Sequence, residues 1–213
     1  FRFGMDWGLK AYAAHEGSMP AVNLLYTYTG TFSDIALGKA ASEAMLAQGA
    51  VGIYNVAGPL GVGDLEAVTE VHDNAGTTYG PPYYYGVDAD QDWMGGGAHG
   101  IASGMKRVDT ACYMAIEAVV NGTFKPGVIS LGLAEGGVGI SNARNMLEFI
   151  DFGIGAGQIT AADAPMILYN WQQNRLTVED WIWDALTQLE QGILNNSIFV
   201  PTADTGAQIA TVR

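Results

Sequence analysis

Tyr83-Tyr84-Tyr85-Gly86-Val87 is an aromatic, apolar run of strand length, and it breaks at once into Asp88-Ala89-Asp90-Gln91-Asp92. Gly95-Gly96-Gly97 follows. A buried strand that stops in carboxylates suits an open α/β sheet, whose ligands sit beyond the carboxyl ends of the strands. A carboxylate there can accept hydrogen bonds from a pair of sugar hydroxyls. Turn chemistry explains the same cluster, because Asp also caps and bends the backbone. The rest of the chain has to decide.

Upstream, a helical pattern over Phe1 to His15 ends at Gly17 and Pro20, and Ala21 to Tyr28 has the length of a strand. Ser33 is a candidate cap for a helix from Asp34 to Gln48, stopped by Gly49. Ala50 to Val56 reads as a strand that runs into Gly58-Pro59-Leu60-Gly61-Val62-Gly63, and Asp64 to Asn74 as a helix. Alternating helices and strands with short connections predict an α/β fold with a mostly parallel sheet and helices on both faces. Beyond the triple glycine, the pattern gives an apolar bridge over 98–102, a helix over 105–120 and a strand over 128–133. Past Asn142 it turns helical again. Thr160 with Asp163 and Thr177 with Asp180 read as helix starts. A helix to Gly192 and a short strand over 197–200 close the chain.

A net charge of −13 argues against nucleic acid and anionic membrane surfaces, which need clustered Lys and Arg. With 49% hydrophobic and 15% charged residues the chain is not of disordered composition. Its single cysteine, Cys112, cannot form an internal disulfide and is expected to be a buried, inert thiol. No apolar run is long enough to span a membrane. Two glycosylation triplets begin at Asn121 and Asn195. The start at Phe1, without Met, reads as that of a processed or truncated product.

The glycine loop at 58–63 lies between a strand and a helix but matches neither G-x-G-x-x-G nor G-K-[ST]. Its backbone N–H groups and helix start suit a ligand oxygen, and a sterically tight turn would need the same glycines. His15, His72 and His99 join no Ser or Cys nucleophile motif. His72 is expected to be solvated, and His99 either lines a cleft or serves as a plain hydrogen-bonder. Asp88, Asp90 and Asp92 alternate as in a calcium loop, but the downstream Glu is missing. No metal and no cofactor are expected.

Several segments together resemble the basic membrane protein family, the PnrA-like and TmpC-like purine nucleoside-binding lipoproteins of ABC importers. They are Tyr28-Thr29-Gly30-Thr31-Phe32-Ser33-Asp34 with Gly38-Lys39, Ala57-Gly58-Pro59-Leu60-Gly61-Val62-Gly63, Gly86-Val87-Asp88-Ala89-Asp90-Gln91 and Ser103-Gly104-Met105-Lys106-Arg107-Val108-Asp109. Gly122-Thr123-Phe124 and Gly136-Gly137-Val138 extend the match to about Asn142. The resemblance implies the type I periplasmic-binding fold, with this chain as the second lobe (1–103), a crossover helix and returning strand (104–153) and a helical extension with a final strand (154–213). Family members carry a first lobe, with a lipidated N-terminus, ahead of the segment that begins here.

The function so implied is extracellular or periplasmic ligand capture for an ABC permease, without catalysis, the anchor lying outside this chain. Asp88 would hold the ribose diol and Lys106 would donate to it while balancing Asp88. Phe32, with Trp93 as second candidate, would stack on the purine or else pack as core. Gly58 and Gly61 would admit close backbone approach, and Asp90 would contribute to the site or shape its loop. A sugar or other small polar ligand, a surface assembly role without ligand, and a nucleoside hydrolase working through Asp88 and Asp90 are the competing readings.

Overall fold

The computed structural model describes residues 2–201. Its helices are α1 (Arg2–Glu16), α2 (Ile35–Leu46), α3 (Gly61–Ala75), α4 (Val108–Val120), α5 (Ala143–Gly155), α6 (Ala164–Arg175) and α7 (Asp180–Leu194). Four strands, β1 (Gly52–Tyr54), β2 (Tyr83–Asp88), β3 (Gly100–Lys106) and β4 (Val138–Ile140), form one sheet in that order. β1, β2 and β3 run parallel and β4 antiparallel, so the sheet is mostly parallel, as expected.

Contacts divide the chain into two units, Leu25–Val178 and a second made of the segments up to Leu24 and from Glu179 on. The larger holds the sheet. Ile53 and Tyr84, on one face of the sheet, pack with Leu65 and Val68 of α3 as a buried cluster. A second cluster joins Met146 and Ile150 of α5 to Ile167 and Trp171 of α6. α2 crosses α3 at glycines: a Cβ on Gly63 would collide with the Ile35 carbonyl oxygen, and one on Gly38 would lie 2.9 Å from that of Leu60. In the smaller unit Trp181 of α7 stacks on His15 of α1, ring centroids 4.3 Å apart. Trp181 is therefore a packing tryptophan.

Several expected elements change. Ala21 to Tyr28 is not a strand: the segment pairs with nothing described, and Val22, Leu24, Tyr26 and Tyr28 are exposed. Apolar composition alone cannot supply the neighbouring backbone that a strand requires. Residues 128–133 and 197–200 are likewise without strand structure, the latter folding back so that Ile198 N–H donates to Gly192. The bridge and helix expected over 98–120 are instead β3 followed by α4. Ile101, Ser103 and Met105 are buried in alternation, a strand period, and the helix begins only at Val108. The boundary expected at 103/104 thus falls inside β3. α2 is capped by Asp34, not Ser33, its carboxylate accepting from Leu37 N–H. α3 begins at Gly61 rather than Asp64. Cys112 is exposed, because α4 has no buried residue.

A candidate ligand site at the carboxyl ends of the strands

β2 and β3 end side by side, with Asp88 in register with Met105, so the two chain ends present Asp88 and Lys106 together. The Lys106 ammonium lies 3.0 Å from a carboxylate oxygen of Asp88, with both side chains half open to solvent. Asp88 adopts a left-handed backbone (φ 68°), unusual for a non-glycine residue and tolerated best by Asp and Asn. Such a turn ends the strand and leaves the carboxylate at its tip. Tyr54, at the end of β1, is the neighbour that sequence reasoning missed. Burial first, and then the Asp88 charge, raise its phenol above the ordinary value. In the sequence Tyr54 lay inside the strand expected over 50–56, so nothing local marked it as a strand end.

Contacts run from α2 through the start of α3 to the end of β2. Ile35 and Gly38 of α2 press on Leu60 and Gly63 at the start of α3. Gly61 lies against the Asn55 amide and the Tyr84 hydroxyl. That hydroxyl donates to Gln91 (2.8 Å), whose side-chain oxygen also accepts from Val87 N–H (3.1 Å), one residue before Asp88. Phe32 stands exposed on the loop ahead of α2, so it is free of the core and the packing alternative fails. Gly58 is open as well, with φ 58° and nothing within 4 Å of an added Cβ.

The remaining expected site residues point elsewhere. The space beside Gly61 is filled by Asn55 and Tyr84, so this glycine serves internal packing and not ligand approach. Trp93 is partly buried: it leans on the Met146 cluster, donates from its indole to the Asp90 carbonyl (3.1 Å), and lines a hollow with Gly95, Gly96, Met166 and Asn170. Asp90 is 1% exposed and faces inward. His72, expected to be solvated, is also 1% exposed, its ring bonded to Thr77 and to the Pro82 carbonyl oxygen. His99 stacks on it at 4.4 Å and is buried with Nδ1 lacking a partner among the described residues.

Beneath the Asp88 tip lies a polar network that sequence reasoning did not find. Asp92 accepts from Ser103 (2.6 Å) on β3, Ser141 (2.8 Å) after β4 and the Trp171 indole (3.3 Å) on α6. Ser141 in turn accepts from Ser103 N–H at 2.7 Å, and Ser103 Oγ from Gln91 N–H at 3.0 Å. Burial is the main cause that raises the Asp92 carboxyl, opposed by these donors. Arg175 of α6 donates to the Ile101 carbonyl (2.8 Å) and stacks on Trp171 (4.9 Å). The network ties the loop to three elements while leaving Asp88 outside. Among the described residues no cluster of three His, Cys, Asp or Glu could hold a metal, and no helix is long and apolar enough to cross a membrane.

The sheet is mostly parallel, and its strands β2 and β3 end in a carboxylate and an ammonium, at the kind of edge where α/β proteins hold ligands. The family model described as ABC transporter substrate-binding protein PnrA-like matches residues 18–153. The chain belongs to this family. It is similar to an uncharacterized lipoprotein of Pyrococcus abyssi (35% identity, 96% of this chain and 50% of the relative). Basic membrane protein B of Borrelia garinii subsp. bavariensis is 34% identical over 70% of this chain and 40% of its own. A crystal structure of an ABC transporter solute-binding protein from Aeropyrum pernix superposes with a TM-score of 0.79 at 31% identity, covering 97% of this chain and 55% of that one. The chain therefore spans about half the length of these long relatives.

Proposed function

We propose that this chain is the ligand-gripping second lobe of an extracytoplasmic solute-binding protein that captures a purine nucleoside for an ABC permease. The observation that carries the reading is the Asp88–Lys106 pair at the ends of β2 and β3. A carboxylate has two oxygens and accepts both O–H groups of a ribose cis-diol, while an ammonium held beside it supplies a donor to the ring or hydroxyl oxygens. Phe32, exposed on the loop ahead of α2, would offer a face for the base. The other wall of the cleft would come from a first lobe of the kind that the relatives' extra length can encode. Hinge closure between the two would then signal occupancy to the permease. The relatives' names as lipoproteins support a surface-anchored location.

Calorimetric titration with inosine, guanosine and adenosine, and with free ribose and a free purine base, tests this. The nucleosides are expected to bind and the fragments to bind far more weakly, since each fills half of the site. Heat from ribose or another sugar alone would replace the nucleoside with a plain sugar as ligand. Ribose released from inosine would replace binding with hydrolysis.

A further inference from the structure

Asp90 and Asp92 sit two residues apart, each 1% exposed, on the loop that carries Asp88. Their circumstances differ. Both Asp92 oxygens are occupied by hydroxyl or indole donors from β3, the β4 end and α6. One Asp90 oxygen accepts from the Asp92 N–H at 2.9 Å, and the other, Oδ2, is buried with no partner among the described residues. An unpartnered carboxylate oxygen in a buried site costs several kcal/mol when charged, and a proton is the cheapest way to remove that charge.

We propose that Asp90 and Asp92 are positioning residues for Asp88: one proton held on Asp90 lets the buried pair pin the 88–92 loop in its binding geometry. The two carboxyls then divide the work. Asp92, ionised, collects the donors that anchor the loop, and Asp90, neutral, fills the space beside it without repelling it. Loss of the Asp90 proton places two like charges in one buried pocket, and the loop is the element able to yield.

The charged and titratable surroundings agree. Burial and then the Asp92 charge raise the Asp90 carboxyl to about 7, with Arg175 of α6 pulling it down. Arg175 is the cation facing the pair, β2 contributes the Tyr84 phenol through Gln91, and β3 and the β4 end contribute the neutral hydroxyls of Ser103 and Ser141. The Asp88–Lys106 ion pair lies at the outer end of the same loop.

The inference rests on the nucleoside reading for its consequence, so the test has two readouts on the protein carrying both lobes. Amide NMR of Asp88 and Ala89 across pH 5.5 to 8.5 needs no ligand. Inosine affinity over the same range does. In the wild type both amides are expected to titrate with a midpoint near 7, and inosine affinity to fall above it by up to about tenfold per pH unit, the limit for one linked proton. Asp90→Asn, the neutral isostere, is expected to flatten both profiles at their acid-side values. Arg175→Gln, which leaves the carboxyls in place, is expected to move the midpoint to higher pH. The same midpoint in Asp90→Asn, an unmoved one in Arg175→Gln, or no titration in the wild type overturns the proposal. An intact amide titration with no inosine binding at any pH overturns the nucleoside reading and leaves the pinning role of the pair standing.

Discussion

Asp92 gathers donors from two serines and a tryptophan, and each loses its partner when the carboxylate goes. Asp92→Ala is therefore expected to cost about 3–5 kcal/mol, the range for breaking a buried charged network, read as a lower urea midpoint. His99 gives the residue scale a pH signature. Burial and then His72 lower its imidazole to about 4, below the ordinary 6.5. The unfolded chain thus binds a proton between those values that the folded one refuses, so the contribution of His99 is complete above about pH 6.5 and lost as pH falls toward 4. Asp90 runs the other way, its raised carboxyl contributing fully below the ordinary 3.8 and losing that contribution as pH rises through about 7. Urea melts at pH 7 and pH 5 should show His99→Gln losing less stability on acidification than the wild type; an equal loss would remove His99 as the cause. Asp88 stood out in the sequence because its motif follows an apolar run of strand length, whereas Lys106 fell in an expected helix and was named only through the family resemblance. The Asp92 network was not legible, since Ser141 and Trp171 stand 49 and 79 residues away and no local pattern joins them.

At the scale of elements, the α2–α3 crossing depends on a bare helix face. A Cβ at Gly63 would run into the Ile35 carbonyl oxygen and lie 2.8 Å from the Lys39 backbone nitrogen, both main-chain atoms that cannot swing aside. Gly63→Ala is expected to destabilise by about 1–3 kcal/mol despite its better helix propensity, measurable as a lower Tm. A rise in Tm would mean that the helices separate without loss. The sequence showed Gly58 to Gly63 as a special loop and left its purpose open. Helix packing against Asn55, Tyr84 and α2 answers for Gly61 and Gly63, and Gly58 is the one whose surroundings stay open. β3 was misread because its outward positions are Ala102, Gly104 and Lys106, two of them too small to display the alternation. Ala21 to Tyr28 erred in the opposite sense, being apolar enough for a strand without a neighbour to pair with.

For the whole molecule, the helix after β3 matters most. α4 leaves Tyr113, Ile116, Val119 and Val120 more than half exposed, and Phe124 follows on the same apolar surface. Cys112 shares this exposure, so it is expected to react with an aromatic disulfide reagent in native buffer, releasing one thiol equivalent per chain without denaturant. Reaction only after unfolding would mean that α4 is covered in solution. The overall class was legible from the sequence because helices alternate with the strand runs at 50–56 and 83–87 across short connections, although β3 and β4 were not among the expected strands. The nucleoside assignment hinges on Asp88, at the tip of β2 with Lys106 3.0 Å away. The decisive measurement is inosine titration of wild type and Asp88→Ala side by side. Loss of a charge-assisted hydrogen-bond pair predicts a Kd higher by about 10- to 100-fold. An unchanged Kd in Asp88→Ala would contradict the ribose clamp.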